Sequence, residues 1–166
     1  MTVDPVTVDP RDVDASAIDP LALDRQVCFA LAATSRSVIA LYRPVLEPLG
    51  LTHPQYLVML ALWERSPRNS REISDALFLE PATLSPLLKR LEAAGLITRR
   101  RGLLDERTLA IDLTDTGRAL RADAETVPGQ IVERLGLSIA QLESTRDALT
   151  QLLDASTRRA VPQAGG

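Results

Sequence analysis

Cys28 and His53 are the only cysteine and the only histidine in this 166-residue sequence, and they are the side chains best suited to redox and proton chemistry near neutral pH. A thiolate attacks electrophiles such as the O–O bond of a peroxide, and donors or a cation beside a thiol favour that anion. A single cysteine excludes an intrachain disulfide and any zinc site built on clustered cysteines. The plainer reading of a lone cysteine on a helix is a core residue, because free cysteine is among the most buried residue types. The plainer reading of His53, before a proline, is a surface residue at a helix start. A second group is hydroxylic and cationic: Thr83, Ser85, Lys89 and Arg90, followed by Asp105 and Arg107. Hydroxyls and cations near a helix N-terminus reach base edges and phosphates in a major groove. A guanidinium on a loop tip enters a narrow minor groove, where the negative potential is enhanced. The plainer reading of such residues is a solvated charged face. No Gly-rich phosphate loop, zinc motif or serine nucleophile elbow occurs, so nothing points to a metal or cofactor.

The elements that must position these groups are mostly helical. The chain is 45% hydrophobic but only 3% aromatic, so Leu, Ile, Val and Ala do the packing, a mixture better suited to helices than to a β-sandwich. No apolar run approaches the roughly 18 residues of a membrane span. The first residues, MTVDPVTVDP, lack a basic region followed by an apolar one. A secretory signal is therefore not expected, and the cytoplasm is the expected compartment. The net charge of −3 conceals an uneven distribution. Residues 1–20 carry five aspartates against Arg11, whereas residues 81–107 carry a local +3 from Lys89, Arg90, Arg99, Arg100, Arg101 and Arg107 against Glu92, Asp105 and Glu106. The patch, not the average, decides where phosphate binds.

Residues 1–20, acidic and interrupted by Pro5, Pro10 and Pro20, are expected to be a disordered tail. From Leu21 an apolar stripe of Val27, Leu31, Val38, Leu41 and Val45 predicts a helix, with Pro44 and Pro48 kinking or ending it. A second helix is expected over 53–65, with Tyr56, Met59, Leu60 and Trp63 on one face. Asn69 and Glu72 form a capping-box pattern for a short helix over 70–77, and Pro81 opens a helix that ends at Gly95. Leu96–Arg101 and 109–113 then read as strands of a hairpin. The helical pattern resumes after Thr114, interrupted at Pro128-Gly129. A final helix, capped by Ser138 and Gln141, runs to about Ala155, and the residues after 158 read as frayed.

This order, mainly α with a small β-hairpin and long helices at both ends, predicts a winged helix-turn-helix. The stretch L-x-K-R-L-E-x-x-G-L-I-x-R from Leu87 to Arg99, then Asp105-Glu106-Arg107, then Leu113-Thr114-x-x-Gly117, resembles the MarR family of dimeric winged-helix repressors. Three upstream segments are similar to its organic-hydroperoxide-sensing OhrR branch: Gln26-Val27-Cys28-Phe29, Tyr42-Arg43-Pro44 and Pro54-Gln55-Tyr56. Glu80 to Glu92 is similar to that branch too. The resemblance implies dimerisation segments over 21–49 and 116–158, a DNA-binding region over 50–115, and a frayed tail over 159–166. It also makes Cys28 the sensor. Branch members commonly surround the sensor with three tyrosines; here one position is Ala32, one is Tyr42 and one is His53. Tyr42 lies 14 residues from Cys28, about 21 Å along a single helix. Tyr42 and His53 are therefore expected to support Cys28 across a dimer interface.

The resemblance implies a homodimeric repressor on a palindromic double-stranded operator, released when an organic hydroperoxide oxidises Cys28. The sulfenic acid would then be capped by a low-molecular-weight thiol, since no second cysteine is present. One rival keeps the fold but makes Cys28 structural and the signal a small apolar or phenolic ligand. Another, a thiol peroxidase, needs a resolving partner and a clustered base that one cysteine and one histidine do not supply. The chain is accordingly read as a regulator, not an enzyme.

Overall fold

The computed structural model describes residues 19, 21–101 and 109–160, which divide into two units, 1–40 and 41–166. In the first unit a 3-10 turn over Leu23–Arg25 precedes the start of α1 (Val27–Leu46), whose last six residues belong to the second unit. The predicted stripe is present as a helix, but in this unit it is largely uncovered: Val27 and Leu31 are exposed, as are the adjoining Phe29 and Ile39, and of the stripe only Val38 is half-buried. Pro44 does not end α1, which continues to Leu46. The stop comes from the next proline: Pro48 opens a 3-10 turn over Glu47–Leu49, and Gly50 closes it at φ +67°.

The second unit is built around α2 (His53–Glu64). Gln55 fixes its start by accepting a hydrogen bond from the Thr52 N–H at 2.8 Å. The expected single apolar face is only half of what is seen. Tyr56 and Met59 are buried, but Leu60 is exposed, whereas Val58, Ala61 and Leu62 are also buried. Neighbours on several sides impose this, because α2 packs against α3 (Ser70–Leu77), α4 (Pro81–Ala93), α5 (Asp115–Ala124) and β3 (Leu109–Leu113). α3 begins with the expected capping box, Asn69 Oδ1 accepting from Glu72 N–H at 2.9 Å and a Glu72 carboxylate oxygen from Asn69 N–H at 2.7 Å. It ends at Phe78 in the left-handed region, φ 53°, a conformation that costs a residue other than glycine about 1–2 kcal/mol.

The hairpin strands are β2 (Ile97–Arg101) and β3, paired antiparallel with Ile97 opposite Leu113 and Arg101 opposite Leu109. Sequence reading misses β1 (Arg68–Asn69), which pairs with β3 to give the order β1-β3-β2. Two residues carry no periodicity to read. Arg68, 8% exposed, is held by the Glu64 carboxylate at 2.6 Å and the Arg65 carbonyl. The expected acidic tail and the loop bearing Asp105 and Arg107 lie outside the described residues.

The segment Leu113-Thr114-x-x-Gly117 joins the sheet to α5. Thr114 Oγ1 accepts from Gly117 N–H at 3.0 Å and donates to the Gly95 carbonyl at 2.6 Å. A Cβ on Gly117 would stand 2.0 Å from the Leu96 carbonyl oxygen, so only glycine allows this approach. The interruption near Pro128 falls earlier than expected, at Glu125 and Thr126, because Pro128 sits in the first turn of α6 (Val127–Leu135). α7 (Ile139–Ala160) starts at the Ser138–Gln141 box and runs five residues past its expected end, so residues 159 and 160 are helical where a frayed tail was expected. One core unites the second unit, with Leu46, Met59, Leu62, Ile73, Leu91 and Ile111 almost wholly enclosed.

Candidate nucleic-acid interface and sensor thiol

α4 is oriented by four leucines. Leu84, Leu87, Leu88 and Leu91 are buried at spacings of three and four, fixing one face against the core. Helical periodicity then sets Ala82, Pro86 and Lys89 at the middle of the opposite face, with Ser85 and Arg90 flanking it and Thr83 at its edge. All six are exposed. The structure thus brings the four predicted α4 residues onto the uncovered side of one helix and adds Ala82 and Pro86 between them. Pro86 lies in the second turn, with no donor for a helix bond and its ring on the exposed face.

The predicted basic patch is divided by its pairing. Arg99 Nε donates to Glu92 at 2.8 Å, and its terminal nitrogen contacts the same oxygen. That hydrogen bond holds the Glu92 carboxyl below its usual range. Arg99 is therefore occupied within the protein. Lys89, Arg90 and Arg100 have no ion-pair partner among the described residues and remain available to phosphate. Asp105 and Arg107, the expected loop-tip pair, lie outside the described residues. The neighbouring Leu113-to-Gly117 motif has its role in packing, as the Thr114 bonds and the close approach of Gly117 show.

In the first unit Cys28 is the second residue of α1, and it is exposed, as are its neighbours Val27 and Phe29. The default reading of a core cysteine does not hold in the described chain. The two residues expected to support it are brought together in the second unit. Tyr42 and His53 stand edge to face with ring centroids 4.9 Å apart, and Tyr56 lies 6.1 Å from Tyr42. Burial pushes the His53 pKa down, disfavouring the imidazolium, the form that would act as a cation beside a thiolate. Burial raises the pKa of Tyr42, so its phenol remains a hydrogen-bond donor. Trp63, expected in the core, is half-buried beside Tyr56 and donates its indole N–H to the Gly117 carbonyl at 2.8 Å. Sequence spacing gave no sign of that bond, which crosses 54 residues.

Comparison with known proteins agrees with this architecture. Residues 40–123 match the family model described as transcriptional regulator SarA/Rot. The organic hydroperoxide resistance transcriptional regulator of Bacillus subtilis is 41% identical over 132 residues, covering 80% of this chain and 90% of that protein. Reduced AbfR bound to DNA, a Staphylococcus epidermidis protein, superposes with a TM-score of 0.73 at 34% identity, covering 84% of this chain and 95% of that one. CouR of Rhodococcus jostii bound to p-coumaroyl-CoA gives 0.68 at 27% identity, covering 80% and 94%. Among the described residues no helix is long and apolar enough to cross a membrane.

Proposed function

The chain belongs to the MarR family of winged-helix transcriptional regulators, and on that footing we propose that it is a homodimeric repressor released from a palindromic operator when an organic hydroperoxide oxidises Cys28. The observation that carries this reading is the exposed thiol of Cys28, the only cysteine, at the start of a helix on which Val27, Phe29, Leu31 and Ile39 are uncovered. Covering those side chains with a second copy would enclose the thiol in an apolar interface. Tyr42 of the second copy would then supply a phenol donor, with His53 packed against its ring. Because burial favours the neutral imidazole, His53 serves this arrangement as an uncharged group.

The thiolate attacks the terminal oxygen of the hydroperoxide. The S–O bond forms, the O–O bond breaks, and the alkoxide takes a proton and leaves as an alcohol. A low-molecular-weight thiol then displaces water from the sulfenic acid to give a mixed disulfide. Its bulk in a packed interface disfavours the DNA-binding arrangement through overpacking. A full swing from bound to released requires a preference of about 5.5 kcal/mol. DNA contact falls to Thr83, Ser85, Lys89 and Arg90 on α4 in the major groove and to Arg107, with Asp105 beside it, in the minor groove.

One observation favours a second reading. Two of the three positions where the branch commonly carries tyrosine hold Ala32 and His53 here, and a relative of the same fold, CouR, is seen with p-coumaroyl-CoA. A small apolar or phenolic ligand would then be the signal and Cys28 structural. Operator retention read by fluorescence anisotropy separates the two. Cumene hydroperoxide should release wild type but not Cys28→Ser, which keeps size and a hydroxyl without comparable nucleophilicity. Equal release from both proteins eliminates the redox mechanism.

A further inference from the structure

The turn between α3 and α4 carries an aromatic side chain on a backbone that resists it. Phe78 stands at φ 53° and ψ 40°, and the Leu79 N–H reaches back to the Ser74 carbonyl at 3.0 Å. Glycine is the usual residue at this point of a helix end, because a Cβ there crowds the following carbonyl. Phe78 is the only residue other than glycine with positive φ among the described residues. Burial does not offset the strain. The side chain is 65% exposed, while Leu77 and Leu79 on either side pack against the core. Strained residues of this kind collect where a protein touches a ligand.

The chemistry of the surrounding chain narrows what that ligand surface is. Residues 72–88 contain no lysine or arginine but do contain Glu72, Asp75 and Glu80. Within this stretch phosphate has no cation to meet; the flanking cations are Arg71, which faces Asp75 at 4.0 Å, and Lys89. The turn and the first turn of α4 offer instead one exposed ring and the hydroxyls of Thr83 and Ser85. We infer that Phe78 is a DNA-contacting residue whose ring packs on an apolar part of the duplex where the start of α4 enters the groove. Two parts of DNA have this chemistry, the deoxyribose carbons and the C5-methyl of thymine. The inference rests on the reading of α4 as the DNA-facing helix. An apolar contact displaces no counterion, so it adds affinity without adding salt dependence.

The test uses the full chain and a duplex selected by the wild-type protein from a random-sequence library. Binding is measured over a salt series for wild type, Phe78→Asn, Phe78→Tyr and Lys89→Ala, with a thermal melt and a sedimentation run for each. Asparagine accepts the left-handed conformation, so it keeps the turn and removes the ring. Phe78→Asn should melt higher than wild type yet bind about tenfold more weakly with an unchanged salt slope, the scale of burying half an aromatic ring. Phe78→Tyr, which retains the ring, should bind like wild type. Replacing thymine by uracil in the duplex tells the two sources apart. Loss of wild-type affinity to the level of Phe78→Asn identifies the methyl group, and no change identifies deoxyribose. Wild-type affinity in Phe78→Asn alongside a weakened Lys89→Ala overturns the inference and leaves the reading of α4 standing. Wild-type affinity in both overturns the two together. A salt slope that falls in Phe78→Asn, equal loss in Phe78→Tyr, or a dimer that dissociates when the ring is removed also overturns it.

Discussion

The stretch from Val45 to Ile131 and the helical segments on either side of it have similar side chains and opposite burial. Of the fourteen large apolar side chains that are exposed among the described residues, eleven lie before Val45 or after Ile131. The central stretch exposes only Leu60, Phe78 and Leu109. One region satisfies its hydrophobic side chains within a single chain, and the other does not. Apolar side chains at helical spacing that stand in water form a surface of the kind that marks an interaction site, and in the proposed function a second copy of the chain is what covers it. Under the proposed function the central region would be the DNA reader and the two ends would be where a second copy docks.

The largest expected effect breaks the comparison from the central side. Leu91 is fully enclosed, and Leu91→Ala should cost about 2–5 kcal/mol in a urea melt. The corresponding change at an exposed position of α7, Leu152→Ala, should cost a single chain less than about 0.5 kcal/mol. Equal losses would show that the two regions are not different in kind. Next comes Gly117→Ala. A Cβ 2.0 Å from a backbone oxygen forces α5 away from β2, and a cost of about 1–3 kcal/mol is expected from overpacking. The loss should be accompanied by a change in Trp63 fluorescence, because the Gly117 carbonyl accepts the indole N–H. The third effect sharpens the comparison from the terminal side. If a second copy covers the exposed stripes, apparent stability should rise by about 1.4 kcal/mol for each tenfold increase in protein concentration. Phe29→Asp should abolish that dependence and yield a monomer by sedimentation.

The same division explains what was legible in the sequence. α3 and α4 are bounded by local signals, the Asn69–Glu72 box and Pro81, and the structure starts them at the expected residues. The α4 leucines and the exposed cationic face opposite them follow from one period. α2 was read less well, because a helix wrapped on several sides has no single stripe to find. β1 was invisible because its two residues are strand only through pairing with β3, some 40 residues later. Arg99 was counted toward the basic patch, since its pairing with Glu92 depends on how β2 folds back along α4. Cys28 could be found because it is unique, but its exposure could not, because a stripe of apolar residues looks the same whether a core or a second copy covers it.

The smallest expected effect concerns the polar seam at the edge of the central region. Asp112 on β3 accepts hydrogen bonds from the Ser66 hydroxyl, from the Leu113 N–H at 2.8 Å and from Arg118 at 2.9 Å. These bonds, the Ser66 bond foremost, hold its carboxyl below the usual range despite partial burial. A carboxyl whose folded pKa is depressed gives its full stabilisation above the unfolded pKa and loses it as the pH falls through the folded one. The contribution of Asp112 should therefore be constant from neutral pH down to about pH 5 and decline below about pH 4. The group is 39% exposed, so solvent screening limits it to less than about 1 kcal/mol. Asp112→Asn keeps the shape and removes the titration. Its melting temperature should lie slightly below wild type at neutral pH, and the two curves should converge in acid. Glu92, also depressed by its partner, titrates in both proteins and cancels from the difference. A gap that persists unchanged into acid would mean that the seam depends on the shape of the side chain at 112 and not on its charge.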